Sequence, residues 1–397
     1  MTSPNPDEPE VGSFSLWFLR GALAATVLVV AGFAIHAAVG LLDRSPDASS
    51  PDFDEVDAFV AEAVTFIEGL RERPFVDAPD LRVVGETEFL EILLDDLNQT
   101  FAEDPDLVER IDVLYRALGM IGPEESIEEV YRTFVEAGVL GVYFPDRDQM
   151  LVRGDGPLSL LAKATIVHEL VHAFDDQHFD LERGDDLDDG TELPWTFAAA
   201  VEGSARYVEE RWIATLTAAE RQRLDAEELA FGDPALFASM DLAFLFHEIS
   251  VYEYGEAWID RLVARNGIEA IDDAVLEPAP TSEQVMEPLD APSLDPLPVP
   301  HPAVEGEVVW ETVGGQALID SLLNGAFIAE SDAVTGWGGD ALTAYRLDGR
   351  SCVRWDIVAD TATDSSELLD AFARWVDFRG SGQVTARDGV VRLERCA

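Results

Sequence analysis

The sequence predicts an α+β protein: a mainly helical region carrying a β-hairpin, then an α+β C-terminal portion, all behind an apolar N-terminal stretch. Three observations carry this. From Phe53 onward, apolar residues recur at three- and four-residue steps (Phe53, Val56, Val60, Val64, Ile67, Leu70), the period of an amphipathic helix. The pattern turns strand-like at 139–144 and again beyond residue 304. Between these two regimes, residues 278–302 are too rich in proline to form a helix interior.

The elements follow in order. Residues 1–15 read as a polar tail. Residues 16–42 include GALAATVLVVAGFAIHAAVGLL, whose one ionisable side chain is His36, and the length suits a bilayer-spanning helix of roughly 20 residues. With no small-residue cleavage site after it, this stretch is expected to be an uncleaved single-pass transmembrane helix. Residues 43–52 (DRSPDASSPD) have the composition of a linker. A helical domain is expected over 53–277. It has helices at 53–70, 86–101 and 105–119, a hairpin over 139–153, a long helix at 158–178, and further helices at 191–216, 234–249 and 253–266. A proline-rich connection at 278–303 leads to a domain at 304–397, with five strand-like runs and helices at 315–323 and 365–378.

Composition narrows the function classes. The chain has 79 acidic against 26 basic residues, a formal net charge of −53, and Lys163 is its single lysine. Such a charge repels a phosphate backbone, which excludes nucleic acid as a partner. With 47% apolar residues the chain is too hydrophobic to be disordered, so the acids describe a solvated surface suited to high salt, as in an extreme halophile. The two cysteines, Cys352 and Cys396, both fall in strand-like runs. A disulfide between them would staple the C-terminal strands and imply an oxidising compartment. The sequon Asn98-Gln99-Thr100 agrees, and the portion beyond the membrane segment is expected outside the cell.

The chemistry-bearing motif is His168-Glu169-Leu170-Val171-His172. Four residues apart on a helix, both imidazoles share one face and can hold one zinc ion, and Glu169 can act as general base towards an attacking water. Two residues could supply the third ligand, Glu202 in preference and His178 as the alternative. Glu202, on the following predicted helix, would complete a two-His, one-Glu set. His178, ten residues after His168, matches the third histidine of the metzincin spacing, although Asp175 stands where that pattern places glycine. Asp175, Asp176 and Asp180 are candidates to hold a ligand histidine's second nitrogen. Tyr252, Tyr254 and His247 are candidates to stabilise an oxyanion. The hairpin preceding the motif offers an edge for pairing with an extended peptide.

Four blocks occur in order: HELVHAFDDQHFDL (168–181), AAAVEGSARY (198–207), YEYGEAWIDRLVARNGIEAIDDAVLEPAPTSEQVMEP (252–288) and GWGGD (336–340). Together they resemble a group of exported archaeal and bacterial proteins, including haloarchaeal surface proteins, regarded as gluzincin-like zinc metallopeptidases. The resemblance covers 130–397. It implies a zincin-like domain with His168, His172 and Glu202 as zinc ligands, Glu169 as base, and Tyr252 as the tyrosine of a Tyr-x-x-Gly block. It also implies a peptide or protein substrate. Glu287 stands where a histidine of that group is expected, which leaves the block around it without an assigned role.

Overall fold

The computed structural model describes residues 25–27, 53–78, 80–154, 156–291, 295–328 and 333–397. The expected transmembrane segment 16–42 lies outside the described residues except for Ala25–Val27. Those three form a short strand (β1), not a helix, pairing antiparallel with the edge of β3 (Val139–Phe144), which offers unpaired backbone groups. Among the described residues no helix is long and apolar enough to cross a membrane.

The protein is α+β, with two sheets among the described residues. The small sheet has the order β1-β3-β4-β2, where β2 is Asp80–Val84 and β4 is Gln149–Arg153. The expected hairpin is its centre: β3 and β4 pair antiparallel from Gly141↔Val152 to Phe144↔Gln149 around a turn at Pro145–Arg147. Around it stand α1 (Phe53–Arg71), α2 (Glu86–Glu103), α3 (Pro105–Leu118) and α4 (Ile127–Gly138). The central helix α5 (Leu160–Phe179) packs on β3 and β4, on α1, and on α6 (Leu193–Thr215). It is buried on nearly every side, which explains its almost unbroken apolar sequence.

After α6 come α7 (Ala218–Ala230), the single turn α8 (Pro234–Phe237) and α9 (Leu242–Asn266). The two helices expected at 234–249 and 253–266 are thus replaced by one long helix, whose start is set by Asp241, its side chain accepting from Ala243 N. Nothing between Leu242 and Asn266 breaks a helix, because Gly255 is needed for packing. Helices α6 and α9 cross so closely that a Cβ on Gly203 would lie 2.4 Å from the Gly255 carbonyl oxygen. One on Gly255 would lie 2.2 Å from that of Ala199. Two short helices follow, α10 (Glu269–Leu276) and α11 (Ser282–Met286).

The C-terminal sheet is antiparallel, in the order β5 (Glu307–Thr312), β6 (Trp337–Leu347), β7 (Arg350–Ala359), β9 (Val390–Cys396), β8 (Gln383–Arg387). Helix α12 (Gly315–Gly325) packs against α9, and α13 (Ala362–Arg379) covers the sheet through Trp355 against Phe372 and Phe372 against Trp375. On the opposite face, directly paired residues form ion pairs, Arg392 with Asp356 and Arg354 with Glu394. Cys352 and Cys396 stand opposite each other on β7 and β9 and are joined as a disulfide. The proline-rich connection runs along this sheet: Leu297 N donates to Gly338 O, and Thr343 Oγ1 to Pro302 O.

Candidate metal centre

Helix α5 is capped by Ser159, whose hydroxyl accepts from Ala162 N, and then runs through the core. His168, Glu169 and His172 therefore sit among apolar neighbours at 0 to 1% exposure. Burial of three polar side chains is costly unless each has a partner. The imidazoles lie edge to face with centroids 4.8 Å apart, one turn from each other. Glu202, 1% exposed, reaches them from α6: its Oε2 is 3.1 Å from His168 Nε2 and 3.6 Å from His172 Nε2. One ligand atom from each of the three residues lies within 4.8 Å of the others. It is the one such group among the described residues that could hold a metal ion.

On its far side, His168 Nδ1 lies 3.1 Å from Glu209 Oε2, which also receives Arg206 Nη1 at 2.8 Å. Glu209 is placed to accept a hydrogen bond from Nδ1–H, which leaves the Nε2 lone pair for a cation at the centre. Burial works to lower the pKa of His168, but its bonds to Glu202 and Glu209 outweigh it and raise the value to about 10. Without a cation the centre therefore holds an imidazolium between two carboxylates. Glu202 shows the counterpart: burial pushes it up, and the two histidines pull it below the ordinary glutamate value.

The residues present fit a metal ion. Among the described residues, neither ring nitrogen of His172 has a hydrogen-bond partner, and neither does Glu202 Oε1. Two imidazoles and one carboxylate are a donor set suited to such an ion. Glu169 lies against β3, where its Oε1 would be 2.8 Å from a Cβ on Gly141; the missing side chain there makes its space. Tyr252, from α9, stacks on His168 with centroids 6.3 Å apart, and its hydroxyl is hydrogen-bonded to Glu202. Burial, with the carboxylates of Glu202, Glu169 and Glu248, pushes that phenol well above its ordinary pKa, so it stays a donor.

Other candidates lie elsewhere. His178 is not with the pair: its Nε2 sits 3.0 Å from Pro74 O, and its ring packs on Phe174. The metzincin geometry needs the helix to end near Asp175, but α5 continues to Phe179 with Asp175 buried and helical. None of the three aspartates holds a ligand histidine. Asp175 pairs with Arg71, Asp176 accepts from Tyr143, and Asp180 ends the helix in the left-handed region. Tyr254 donates to Asp320, and His247 faces Tyr115 and Ser321, with burial lowering its pKa to about 4. Glu287 accepts from Gln316.

Glu209 was the residue missed. It lies seven positions after Glu202, two helical turns along one face, and that spacing was the available signal. A cavity of about 80 Å³ lies away from the centre, lined by Tyr115, Trp195, His247 and Trp310 among others.

Residues 303–396 match a family described as a domain of unknown function (DUF8575). That stretch holds the C-terminal sheet and none of the residues of the metal centre. No curated protein matches the chain, and no solved structure does.

Proposed function

We propose that this chain is a zinc-dependent metallohydrolase acting on amide or peptide bonds. The observation that carries the reading is the buried His168–His172–Glu202 cluster with Glu169 beside it. A zinc ion held there would supply a Lewis acid that polarises a carbonyl and makes water acidic near neutral pH. Glu169 would accept the proton of the attacking water and return it to the leaving amine. Tyr252, kept as a donor by its surroundings, would turn its hydroxyl from Glu202 to the developing oxyanion. Glu209 fixes the His168 tautomer throughout. The edge of β3, now paired with Ala25–Val27, is where an extended peptide would pair by main-chain hydrogen bonds. We place the chain at a cell membrane, anchored through residues 16–42, with the disulfide-bearing portion outside.

A second reading is favoured by one observation: the three ligand candidates are at most 1% exposed, as in a structural metal site. The presence of Glu169, a carboxylate beside the ligands but outside the set, supports catalysis instead. Bound zinc and hydrolysis of unfolded protein substrates in high salt separate the two. For catalysis, Glu169→Gln is expected to retain zinc and lose activity by at least about 100-fold, the lower end of what general base catalysis supplies. Zinc bound with no hydrolysis in wild type would favour the structural site, and wild type without zinc would sink both.

A further inference from the structure

The two helices that carry the metal ligands are tied together by a buried ion network next to the centre. Arg71, the last residue of α1, has a fully buried side chain. Its Nη1 donates to Asp175 Oδ1 at 2.8 Å and to Ser204 Oγ at 3.0 Å, and its Nη2 to Asp272 Oδ1 at 2.7 Å. Ser204 Oγ in turn donates to Asp175 Oδ2 at 2.6 Å, and the guanidinium lies 4.8 Å from the Phe174 ring centroid. Asp175 follows His172 by three residues, one turn along α5. Ser204 follows Glu202 by two on α6. The knot thus joins α5 to α6 within a turn of the ligand each presents.

We propose that Arg71 is a positioning residue for the metal centre. By bridging Asp175 on α5, Ser204 on α6 and Asp272 on α10, it sets the separation at which His172 and Glu202 face one ion. This rests on the metal-binding reading above. Two arguments favour positioning over stability alone. A buried ion pair is no more stabilising than apolar side chains of similar volume, so stability by itself does not call for one here. The planar guanidinium also serves acceptors on three helices at fixed angles, which a lysine ammonium cannot reproduce.

The test is zinc affinity, by competition with a chelator, alongside the thermal midpoint, for wild type, Arg71→Lys and Ser204→Ala in high salt. Arg71→Lys is expected to weaken zinc binding by roughly 10- to 100-fold, the range for groups that orient metal ligands. Ser204→Ala, a small change that leaves the ion pair in place, is expected to weaken it severalfold with the fold intact. If Arg71→Lys does not fold, Ser204→Ala decides. Variants that melt earlier but bind zinc like wild type overturn the proposal, leaving Arg71 a stabilising residue only. Wild type that takes up no zinc overturns the metal-binding reading and this proposal together.

Discussion

His168 lies between Glu202 and Glu209, and this makes the metal-free protein sensitive to pH in a definite direction. Its folded pKa, raised to about 10, exceeds the value of about 6.5 expected in an unfolded chain. The protonated ring therefore stabilises the fold fully below about pH 6.5, and that contribution is lost as pH rises through about 10. With chelator present, the denaturation midpoint should fall across this window, and His168→Gln should flatten the dependence. On the proposed reading zinc should oppose it, because a metal on Nε2 would displace the His168 proton. Calorimetric titration in buffers of different ionisation heat should then show proton release on zinc uptake. At this scale the sequence was informative where geometry is local. A helix puts His168 and His172 one turn apart whatever surrounds it, and a hairpin of helices sufficed to suggest Glu202. The sequence already favours it over His178, and the structure keeps His178 away from the pair because α5 stays helical through Asp175. Arg71 contributes to that from 104 positions away, beyond any local pattern.

Among the elements, β3 bears most directly on the centre. Gly141 on this strand faces α5, where an added Cβ would lie 2.4 Å from Thr165 Cγ2 and 2.8 Å from Glu169 Oε1. Gly141→Ala should therefore cost about 1–3 kcal/mol of stability, as overpacking does. It should also move the carboxylate of Glu169, so the hydrolysis proposed above should drop more than the folded fraction does. Thermal melts and zinc-loaded assays together check this, and a variant with normal melting and turnover would contradict it. The hairpin containing β3 was legible from its alternation and turn residues. Helices α4, α7, α10 and α11 are not predicted, the last standing inside the proline-rich 278–302 in the proline-free run Ser282–Met286, and Ser126 and Thr217 each form a capping box at the start of α4 and α7. In so acidic a chain, a carboxylate three residues after a serine or threonine is too common to stand out. One helix at Leu242–Asn266 stands where the periodicity predicts two, at 234–249 and 253–266.

For the whole molecule, charge outweighs any single contact. A net charge of −53 makes the compact state self-repelling in dilute buffer, whereas at 1 M salt the screening length is about 3 Å. The thermal midpoint should rise as potassium chloride goes from 0.1 to 2 M, read by circular dichroism; a flat or falling profile would contradict a salt-adapted surface. The α+β class was legible from the change in hydrophobic period. Which sheet face is buried, and where the proline-rich connection runs, depend on pairings between distant strands.

The crossing of α6 and α9 at Gly203 and Gly255 has a consequence for how such a centre could diversify. Glu202 precedes one of these glycines directly, and Tyr252 comes three residues before the other. With two backbones in contact, the spacing between carboxylate and phenol is set by main-chain atoms, so no single side-chain exchange can tune it by a fraction of an ångström. A change in that spacing would have to come from replacing Tyr252 outright or from moving a whole helix, because neither glycine has room for a side chain.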